Sequence, residues 1–283
     1  MSAETLDAIE KPEQIHRLLH RRYGAGQTVH TEEWNATLAA ILSHRSVRTY
    51  LSRPVPEGVL QLAIAAAQSA PTSSNLQAWS VVAVEDPDRR ATLAELASPN
   101  PQMVSAPLFL VWLADLSRLR NIAGTYGKTG EGLDYFESLL LGAIDAALAA
   151  QNALVALESL GLGTCYIGGI RNHPAEVGKV LGLPPETFAV FGMSVGYPDP
   201  SVETDIKPRL PQSLVLHREQ YRAGAHETDL AAYDRTISAF QAGQGMTVRG
   251  WTSVIANRIA DTAALKGRHV LLDVVRRMGF KAK

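Results

Sequence analysis

Residues 136–160 read FESLLLGAIDAALAAQNALVALESL, and the fold of the chain depends on where this stretch packs. Its apolar residues recur on every side of a helical wheel, so the predicted helix has hardly any polar face. Such a helix is typical of the centre of a core or of an obligate subunit interface. Gly161-Leu162-Gly163 follows at once and supplies the glycines that commonly end a helix. The stretch therefore predicts a long central helix that ends near Leu160.

Short apolar runs on either side of this helix predict strands. They are Trp79–Val84, Leu108–Ala114, Thr164–Ile167 and Phe188–Val195. Helical patterns alternate with them, at Val59–Ser69, Asp86–Leu96, Pro174–Leu181, Asp229–Phe240, Thr252–Leu265 and Val270–Met278. The alanine-rich Val59–Ser69 is expected to be buried on most sides, and Arg118–Gly132 is expected to be a loop. This alternation predicts an α/β domain with helical additions at both ends.

The N-terminal part is predicted to be a helical extension over residues 1–35, followed by one domain over residues 36–283. Glu4–Tyr23 has the pattern of a short amphipathic helix, and Pro12 is expected to interrupt it. Thr31 is a candidate N-cap for a second helix that continues through Ile41. We predict no metal site, because His16 and His20 share a helix face without a third ligand at a recognisable spacing.

The composition argues against several classes of protein. A net charge of −1 over 283 residues gives no reason to expect nucleic-acid or membrane-surface partners. The single cysteine, Cys165, excludes an internal disulfide and fits a reducing compartment. The charged first thirty residues lack the apolar segment of a secretory signal, and no uninterrupted apolar run reaches the length of a membrane span. We therefore expect a cytoplasmic protein.

Two basic segments are candidates for binding an anion. His44-Arg45-Ser46-Val47-Arg48 combines guanidinium forks, a hydroxyl and main-chain amides, which together can enclose a phosphate. Lys207-Pro208-Arg209 is a second basic pair that could meet the first around one phosphate. For the first segment taken alone, a solvated basic turn is the alternative.

Two further segments have the composition of a site for a planar ligand. Thr72-Ser73-Ser74-Asn75-Leu76-Gln77 precedes a predicted strand and offers short hydrogen-bonding side chains. It is either an ordinary polar loop or a set of groups that reads the polar rim of a flat molecule. Gly168-Gly169 follows another predicted strand, and the absence of side chains there would let a flat ring approach the backbone.

Taken together, these segments make the chain resemble the nitroreductase family of FMN-dependent oxidoreductases. Within the family it is most similar to the NADPH-dependent, oxygen-insensitive nitroreductases and flavin reductases. The segments that carry the resemblance are 44–48, 70–77, 157–163, 166–172 and 205–211. The resemblance implies an α+β, nitroreductase-like fold with a central mixed β-sheet flanked by helices. It also implies an intertwined homodimer with two FMN sites at the subunit interface.

The resemblance also implies the residues of the site. Arg45, Ser46, Lys207 and Arg209 would hold the FMN phosphate and ribityl chain with His44 beside them, and Arg48 would lie near the pyrimidine side of the flavin. The remaining expected flavin contacts are Thr72, Ser73, Asn75 and Gln77 in the polar loop, Asn100 and Gln102, and Tyr166, Ile167, Gly168 and Gly169 near the reactive edge of the ring.

The implied activity is hydride transfer from NAD(P)H to FMN, followed by transfer of electron pairs to small flat acceptors in a ping-pong scheme. Nitroaromatics, quinones and free flavin are the expected acceptors. No catalytic residue beyond the flavin is expected, because hydride transfer to flavin N5 needs no acid–base pair. The alternatives are another flavin reduction on the same scaffold, such as dehalogenation or ene reduction, and a non-catalytic flavin-binding protein.

The choice between NADPH and NADH stays open at this point. The resembling branch tends to place an arginine for the NADPH 2′-phosphate where Ala242 stands in this chain. Arg249 is the candidate replacement, and Arg171 matches another basic position near the nicotinamide donor.

Overall fold

A sheet of four strands organises the fold. The structure is a computed structural model that describes residues 3–24, 29, 33–224 and 226–283, with side chains from residue 13 onward. The strands are β1 (Trp79–Val84), β2 (Leu108–Asp115), β3 (Gly163–Ile167) and β4 (Thr187–Gly196), in the order β1-β2-β4-β3. Their three pairings are all antiparallel. The prediction of a mixed sheet therefore needs correction for these residues, where parallel pairing is confined to an isolated bridge between Ser46 and Thr164.

The two faces of the sheet belong to different parts of the core. Every residue of β2 is buried, because this strand has a partner strand on each side and an apolar cluster on each face. Leu110 and Trp112 pack in one apolar cluster, and Phe109 and Val111 pack in another. This alternation follows from the pleat, which sends successive side chains of a strand to opposite faces.

The helix α7 (Phe136–Ser159) packs along the first of these faces, as the sequence predicts. The helix comes close to the sheet at Gly142, where a Cβ would lie 3.1 Å from Ala114 Cβ and 3.1 Å from the Ala78 carbonyl. On its other side, Leu140, Ile144 and Leu148 are exposed. Among the described residues, α7 is the helix long and apolar enough to cross a membrane, by length and composition alone. Its packing on the sheet is typical of a core helix.

The chain divides into two compact units. Unit 1 comprises Met1–Arg45 and Glu203–Ala264, and unit 2 comprises Ser46–Val202 and Leu265–Lys283. Unit 1 contains α1 (Ala3–Tyr23), α2 (Ala36–Leu42), α9 (Glu227–Gly243) and α10 (Thr252–Arg258). Besides the sheet and α7, unit 2 contains α3 (Glu57–Gln68), α4 (Pro87–Leu96), α5 (Pro101–Ser105), α6 (Ser117–Thr125), α8 (Pro174–Leu181) and α11 (Leu271–Arg277).

Several predicted elements differ from the observed ones. The region 118–132 is not simply a loop, because it contains most of α6 and the start of a 3₁₀ turn at Glu131–Asp134. The helix α3 buries only a stripe that includes Ala63 and Ala67, whereas Leu62 is 60% exposed. The predicted helix over 252–265 ends at Arg258 and is followed by a short 3₁₀ turn at Ala263–Leu265.

Near the N-terminus, α1 continues through Pro12, so the predicted interruption there was wrong. The expected N-cap Thr31 lies outside the described residues. The observed N-cap of α2 is Asn35, whose side chain accepts a hydrogen bond from the Leu38 amide at 2.9 Å. A short polar side chain at this position satisfies an N–H group that the first turn leaves without a helical partner.

Candidate functional site

The predicted phosphate-binding cations of unit 1 have exposed side chains. Arg45 Nε donates to Thr204 Oγ1 at 3.0 Å, which links the first basic segment to the polypeptide just before the second. Lys207 and Arg209 line the same concavity of about 370 Å³, together with aromatic and apolar side chains such as Tyr233 and Trp251. The geometry thus brings Lys207 and Arg209 together on one concave surface, where both side chains are exposed.

Arg22, near the end of α1, lies beneath these basic segments and was not predicted as a site residue. It is 7% exposed, and its guanidinium donates to the carbonyl of Lys207 at 2.8 Å and to those of Leu42 and His44 at 3.0 Å each. Burial and, secondarily, the charge of Arg209 lower the pKa of Arg22. Nothing in the sequence distinguishes Arg22 from its basic neighbours His20 and Arg21 in the same helical turn.

In unit 2, the segment after Arg45 continues along the edge strand β3. Ser46 forms a bridge with Thr164, and the Val47 amide donates to the Thr164 carbonyl at 2.9 Å. Val47 is buried, whereas the Arg48 side chain is exposed. Backbone pairing at Ser46 and Val47 therefore fixes this segment and leaves the Arg48 guanidinium in contact with solvent.

The polar loop at residues 72–77 is held by a buried carboxylate on α7. Asp145, which is 2% exposed, accepts hydrogen bonds from the Thr72 hydroxyl at 2.5 Å and from the amides of Ala78 at 3.0 Å and Ser73 at 3.3 Å. The Gln77 amide donates to the Thr72 hydroxyl oxygen at 3.0 Å, so Thr72 is bonded on both sides. Sequence reasoning missed Asp145, although it is the only charged residue between Glu137 and Glu158.

Part of this loop has a left-handed backbone. Ser74, Asn75 and Gln77 have φ values of 49°, 54° and 50°, a region that residues other than glycine rarely adopt. Such conformations persist where surrounding contacts impose them, and they cluster at binding sites. The side chains of Ser73, Asn75 and Gln77 are exposed, so the loop presents the polar groups that the prediction assigned to flavin.

Asn100 and Gln102 lie in and beside the turn between α4 and α5. The Asn100 amide nitrogen donates to the Ser98 carbonyl at 2.8 Å and to the Ala97 carbonyl at 3.2 Å. Asn100 therefore stabilises the C-terminal end of α4, and this contact alone gives it a structural role. Gln102 lies in α5 and is partly exposed.

The predicted segment at the end of β3 differs in accessibility from residue to residue. Tyr166 is 38% exposed and packs edge-to-face on Phe191, with ring centroids 5.2 Å apart; burial of its hydroxyl raises its pKa. Ile167 is 4% exposed and belongs to the core, so only its backbone could face a ligand. The segment could therefore meet a ring through Tyr166 and through backbone atoms.

The two glycines that follow have different surroundings. A Cβ at Gly169 would lie 2.3 Å from the Ala97 carbonyl oxygen, so close packing within the chain already explains the absence of a side chain there. A Cβ at Gly168 would meet only the Arg171 guanidinium, at 3.4 Å. Close packing within the chain therefore explains the glycine at position 169 but not the one at position 168, where the absent side chain leaves space for a ring.

The two arginines assigned to the nicotinamide donor also differ. The Arg171 guanidinium donates to the Val190 carbonyl, and burial, with a smaller contribution from Arg268, lowers its pKa. Arg249 is exposed, and its amide donates to Gln241 Oε1 at 2.9 Å. Arg249 therefore has a fixed backbone and a side chain in contact with solvent, whereas Arg171 has a structural hydrogen bond.

The donors of the two units suit the chemical groups of FMN. Exposed cations in unit 1 match a phosphate, because charge-assisted hydrogen bonds to phosphate oxygens are strong. The exposed polar loop, Tyr166 and Gly168 in unit 2 match the polar rim and the flat face of a ring. His44, Arg45, Lys207 and Arg209 belong to unit 1, and the other predicted FMN residues belong to unit 2.

Comparisons with known proteins match nearly the whole chain. The nitroreductase family matches residues 41–197, and the C-terminal domain of the nitroreductase family matches residues 207–283. An FMN reductase (NADPH) from Bacillus subtilis is 36% identical over 251 residues, covering 87% of this chain and 98% of its own. An oxygen-insensitive NADPH nitroreductase from Salmonella typhimurium is 35% identical over 247 residues, covering 87% of this chain and 99% of its own.

A solved structure agrees with these sequence relatives. The NADPH:FMN oxidoreductase from Vibrio harveyi, complexed with NAD⁺, superposes with a TM-score of 0.78 at 34% identity. The superposition covers 88% of this chain and all of the Vibrio harveyi chain. Because the family match alone spans more than half of the chain, this protein belongs to the nitroreductase family.

Proposed function

We propose that the chain is an FMN-dependent oxidoreductase that takes hydride from NAD(P)H and passes electron pairs to nitroaromatics, quinones or free flavin by a ping-pong scheme. The names of its relatives support flavin and NADPH as cofactor and donor. The observation that carries the proposal is that Lys207 and Arg209, both exposed, line one concavity in a chain of this family.

In this proposal, the cations of unit 1 bind the phosphate of FMN, with Arg45, Lys207 and Arg209 as the charged donors. Ser46 and His44 assist at the phosphate and the ribityl chain. In unit 2, the loop residues Thr72, Ser73, Asn75 and Gln77, with Asn100 and Gln102, bind the ring. Tyr166, Ile167, Gly168 and Gly169 line its reactive edge.

When bound, FMN supplies the two-electron chemistry, as acceptor of hydride from a nicotinamide and as donor to the second substrate. The chain's own residues supply position and electric field. The exposed guanidinium of Arg48, placed on the pyrimidine side, favours negative charge there and so favours the reduced cofactor. No proton transfer by a side chain is needed for hydride transfer, so the proposal assigns no acid–base pair.

We assign Arg171 and Arg249 to the binding of the nicotinamide donor. Arg249 is the better candidate for a 2′-phosphate, because its side chain is exposed while its backbone is held by Gln241. We therefore expect substitution of Arg249 to weaken the response to NADPH more than the response to NADH, as measured by stopped-flow reduction.

A homodimer belongs to the same proposal. The groove of about 390 Å³ beside Thr72 and Ser73 continues along the exposed apolar residues Leu140, Ile144 and Leu148 of α7. These residues recur every four positions, so they form one stripe that a second copy of the chain would cover. We also propose a cytoplasmic location, consistent with a single buried cysteine that forms no disulfide.

The test begins with the purified protein loaded with FMN under anaerobic conditions. The proposal predicts a yellow protein that NADPH or NADH bleaches and that nitrofurazone or a quinone restores. A protein that cannot be loaded with FMN would overturn it. Bound FMN without NAD(P)H oxidation would favour a flavin carrier, and turnover only with halogenated or activated alkene substrates would favour the other flavin reductions.

A further inference from the structure

The N-terminal helix α1 contacts both basic segments of unit 1 through one residue. Arg22 donates to the carbonyl of His44 in one segment, to that of Leu42 just before it, and to the carbonyl of Lys207 in the other segment. Its own carbonyl accepts a hydrogen bond from the Arg209 amide at 2.8 Å. A single residue therefore joins two segments that are more than 160 positions apart in the sequence.

These segments depend on such contacts because their backbones lack regular secondary structure. The residues 43–45 follow the end of α2, and the residues 203–210 lie outside the helices and strands of the structure. Among the described residues, no ladder of backbone hydrogen bonds fixes the spacing between these two segments. The planar guanidinium has donors in a rigid fork, so three carbonyls bound to it are held at defined relative positions.

Other contacts attach α1 to the same segments. Arg21 forms an ion pair with Asp205, two residues before Lys207. Trp34 Nε1 donates to Gln14 Oε1 at 3.2 Å, which connects α1 to the residues that lead into α2. The helix thus packs on the polypeptide that carries the candidate phosphate ligands.

The hydrogen bonds of Arg22 use main-chain carbonyls and leave the cationic side chains of Arg45, Lys207 and Arg209 exposed. The buried guanidinium also adds positive charge beneath them. We infer that Arg22 is a positioning residue, which sets the spacing of the cations that bind the FMN phosphate. This inference rests on the proposed function, and it assigns α1 to the cofactor site.

The experiment compares the binding of FMN with that of riboflavin, which has the same ring and ribityl chain but no phosphate. Flavin fluorescence gives both dissociation constants for the wild type, Arg22→Met, Arg22→Lys and the control Arg17→Met, which changes an exposed arginine of the same helix. We expect Arg22→Met to weaken FMN about tenfold, as removal of a group that orients a ligand commonly does. Riboflavin binding should not change.

The conservative variant and the control make the expectation specific. Arg22→Lys keeps the charge but lacks the fork, so it should weaken FMN by less than Arg22→Met does. Arg17→Met should bind both flavins like the wild type. Equal weakening of FMN and riboflavin in Arg22→Met would mean that Arg22 supports the fold alone, and this result would overturn the inference.

Arg209→Ala, measured in parallel, separates this inference from the proposed function. If Arg209→Ala leaves the ratio of the FMN and riboflavin affinities unchanged, the phosphate assignment itself fails. If Arg209→Ala changes the ratio and Arg22→Met does not, only the inference about Arg22 fails. Should Arg22→Met not fold, Arg22→Lys decides: a changed ratio supports the positioning role, and an unchanged ratio contradicts it.

Discussion

The basic segments of unit 1 and the polar loop of unit 2 are held by buried side chains of opposite charge. In unit 1, the Arg22 guanidinium donates to main-chain carbonyls of the segments that carry the cations. In unit 2, the Asp145 carboxylate accepts from main-chain amides and a hydroxyl of the loop at residues 72–78. Neither segment forms a long helix or strand, and in each of them one buried charged side chain binds several main-chain groups.

The difference teaches how an irregular segment can be rigid and still present chosen groups. Arg22 binds carbonyl oxygens, so the cationic side chains of Arg45, Lys207 and Arg209 stay exposed. Asp145 binds amides, so the side chains of Ser73, Asn75 and Gln77 stay exposed. A buried charge is costly unless hydrogen bonds surround it, and in both places main-chain groups supply several of those bonds.

The largest effect is expected when the anchor of the polar loop is removed. Asp145→Ala should lower the free energy of unfolding by about 3 kcal/mol, because the amides of Ser73 and Ala78 lose a buried acceptor. Denaturant unfolding of the flavin-free protein measures this change. Asp145→Asn keeps one acceptor oxygen and should cost less, and Glu137→Ala, an exposed change on the same helix, should cost little.

The same variant also tests whether the polar loop binds the ring of the flavin, while the basic segments bind its phosphate. Asp145→Ala should weaken FMN and riboflavin alike, because the loop is assigned to the ring that both share. Loss of FMN binding with riboflavin binding intact would instead connect the loop with the phosphate and would break the comparison.

The next effect concerns the exposed cations of unit 1. Arg45→Ala and Arg209→Ala are each expected to cost about 1.5–3 kcal/mol of FMN binding, the contribution of a charge-assisted hydrogen bond. Titration of the flavin-free variants at fixed ionic strength measures it, with riboflavin as the phosphate-free control. Unchanged FMN affinity in both variants would remove the phosphate assignment.

A smaller effect is expected from the left-handed backbone at Ser74. Ser74→Val should lower the free energy of unfolding by about 1–2 kcal/mol, because a branched side chain is strained at a φ of 49°. Ser74→Gly should leave the protein as stable as the wild type or slightly more stable. A Ser74→Val protein as stable as the wild type would show that the loop does not keep this conformation in solution.

The smallest effect is expected from a carboxylate of unit 2 that has charged partners. Hydrogen bonds from Lys281, Arg120 and Lys283, with Lys281 the strongest, lower the pKa of Asp134 to about 2. Its stabilising contribution is therefore complete above the ordinary pKa near 4 and is lost as the pH falls toward 2. The contribution is small because both lysines are about half exposed and solvent screens them.

Thermal unfolding between pH 5 and pH 2 tests this expectation against Asp134→Asn, which should show a shallower loss of stability with acid. Identical pH profiles would contradict it. Asp145, whose partners are neutral, provides the contrasting anchor within the same unit.

Much of the fold was predictable because its signals are local. The strand Trp79–Val84 and the helix Pro174–Leu181 were predicted with their observed ends. A short apolar run predicts the strand, and Pro174 and Gly182 mark the two ends of the helix. The helix α6 was missed because its polar, glycine-containing sequence has weak local preference, and its ends depend on neighbours such as Glu186, which bonds Arg120.

The residues that could contact FMN were predictable from sequence motifs. The residues that hold these segments in place were not. The basic segments, the polar loop and the glycine pair could be identified in the sequence as candidate ligands for FMN. Arg22 and Asp145 could not be assigned to these segments, because the sequence around a side chain does not show which distant main-chain groups it will bind.

By itself, the sequence determined the four strands and most of the helices, the apolar character of α7 and the residue types that suit a phosphate and a flat ring. Periodicity and composition act over a few neighbouring residues, and a single sequence records them directly. Only the tertiary structure decided that Arg22 holds the two basic segments, that Asp145 holds the polar loop, and that Gly169 is required by the Ala97 carbonyl. These contacts join residues distant in sequence, and they form only when the chain has folded.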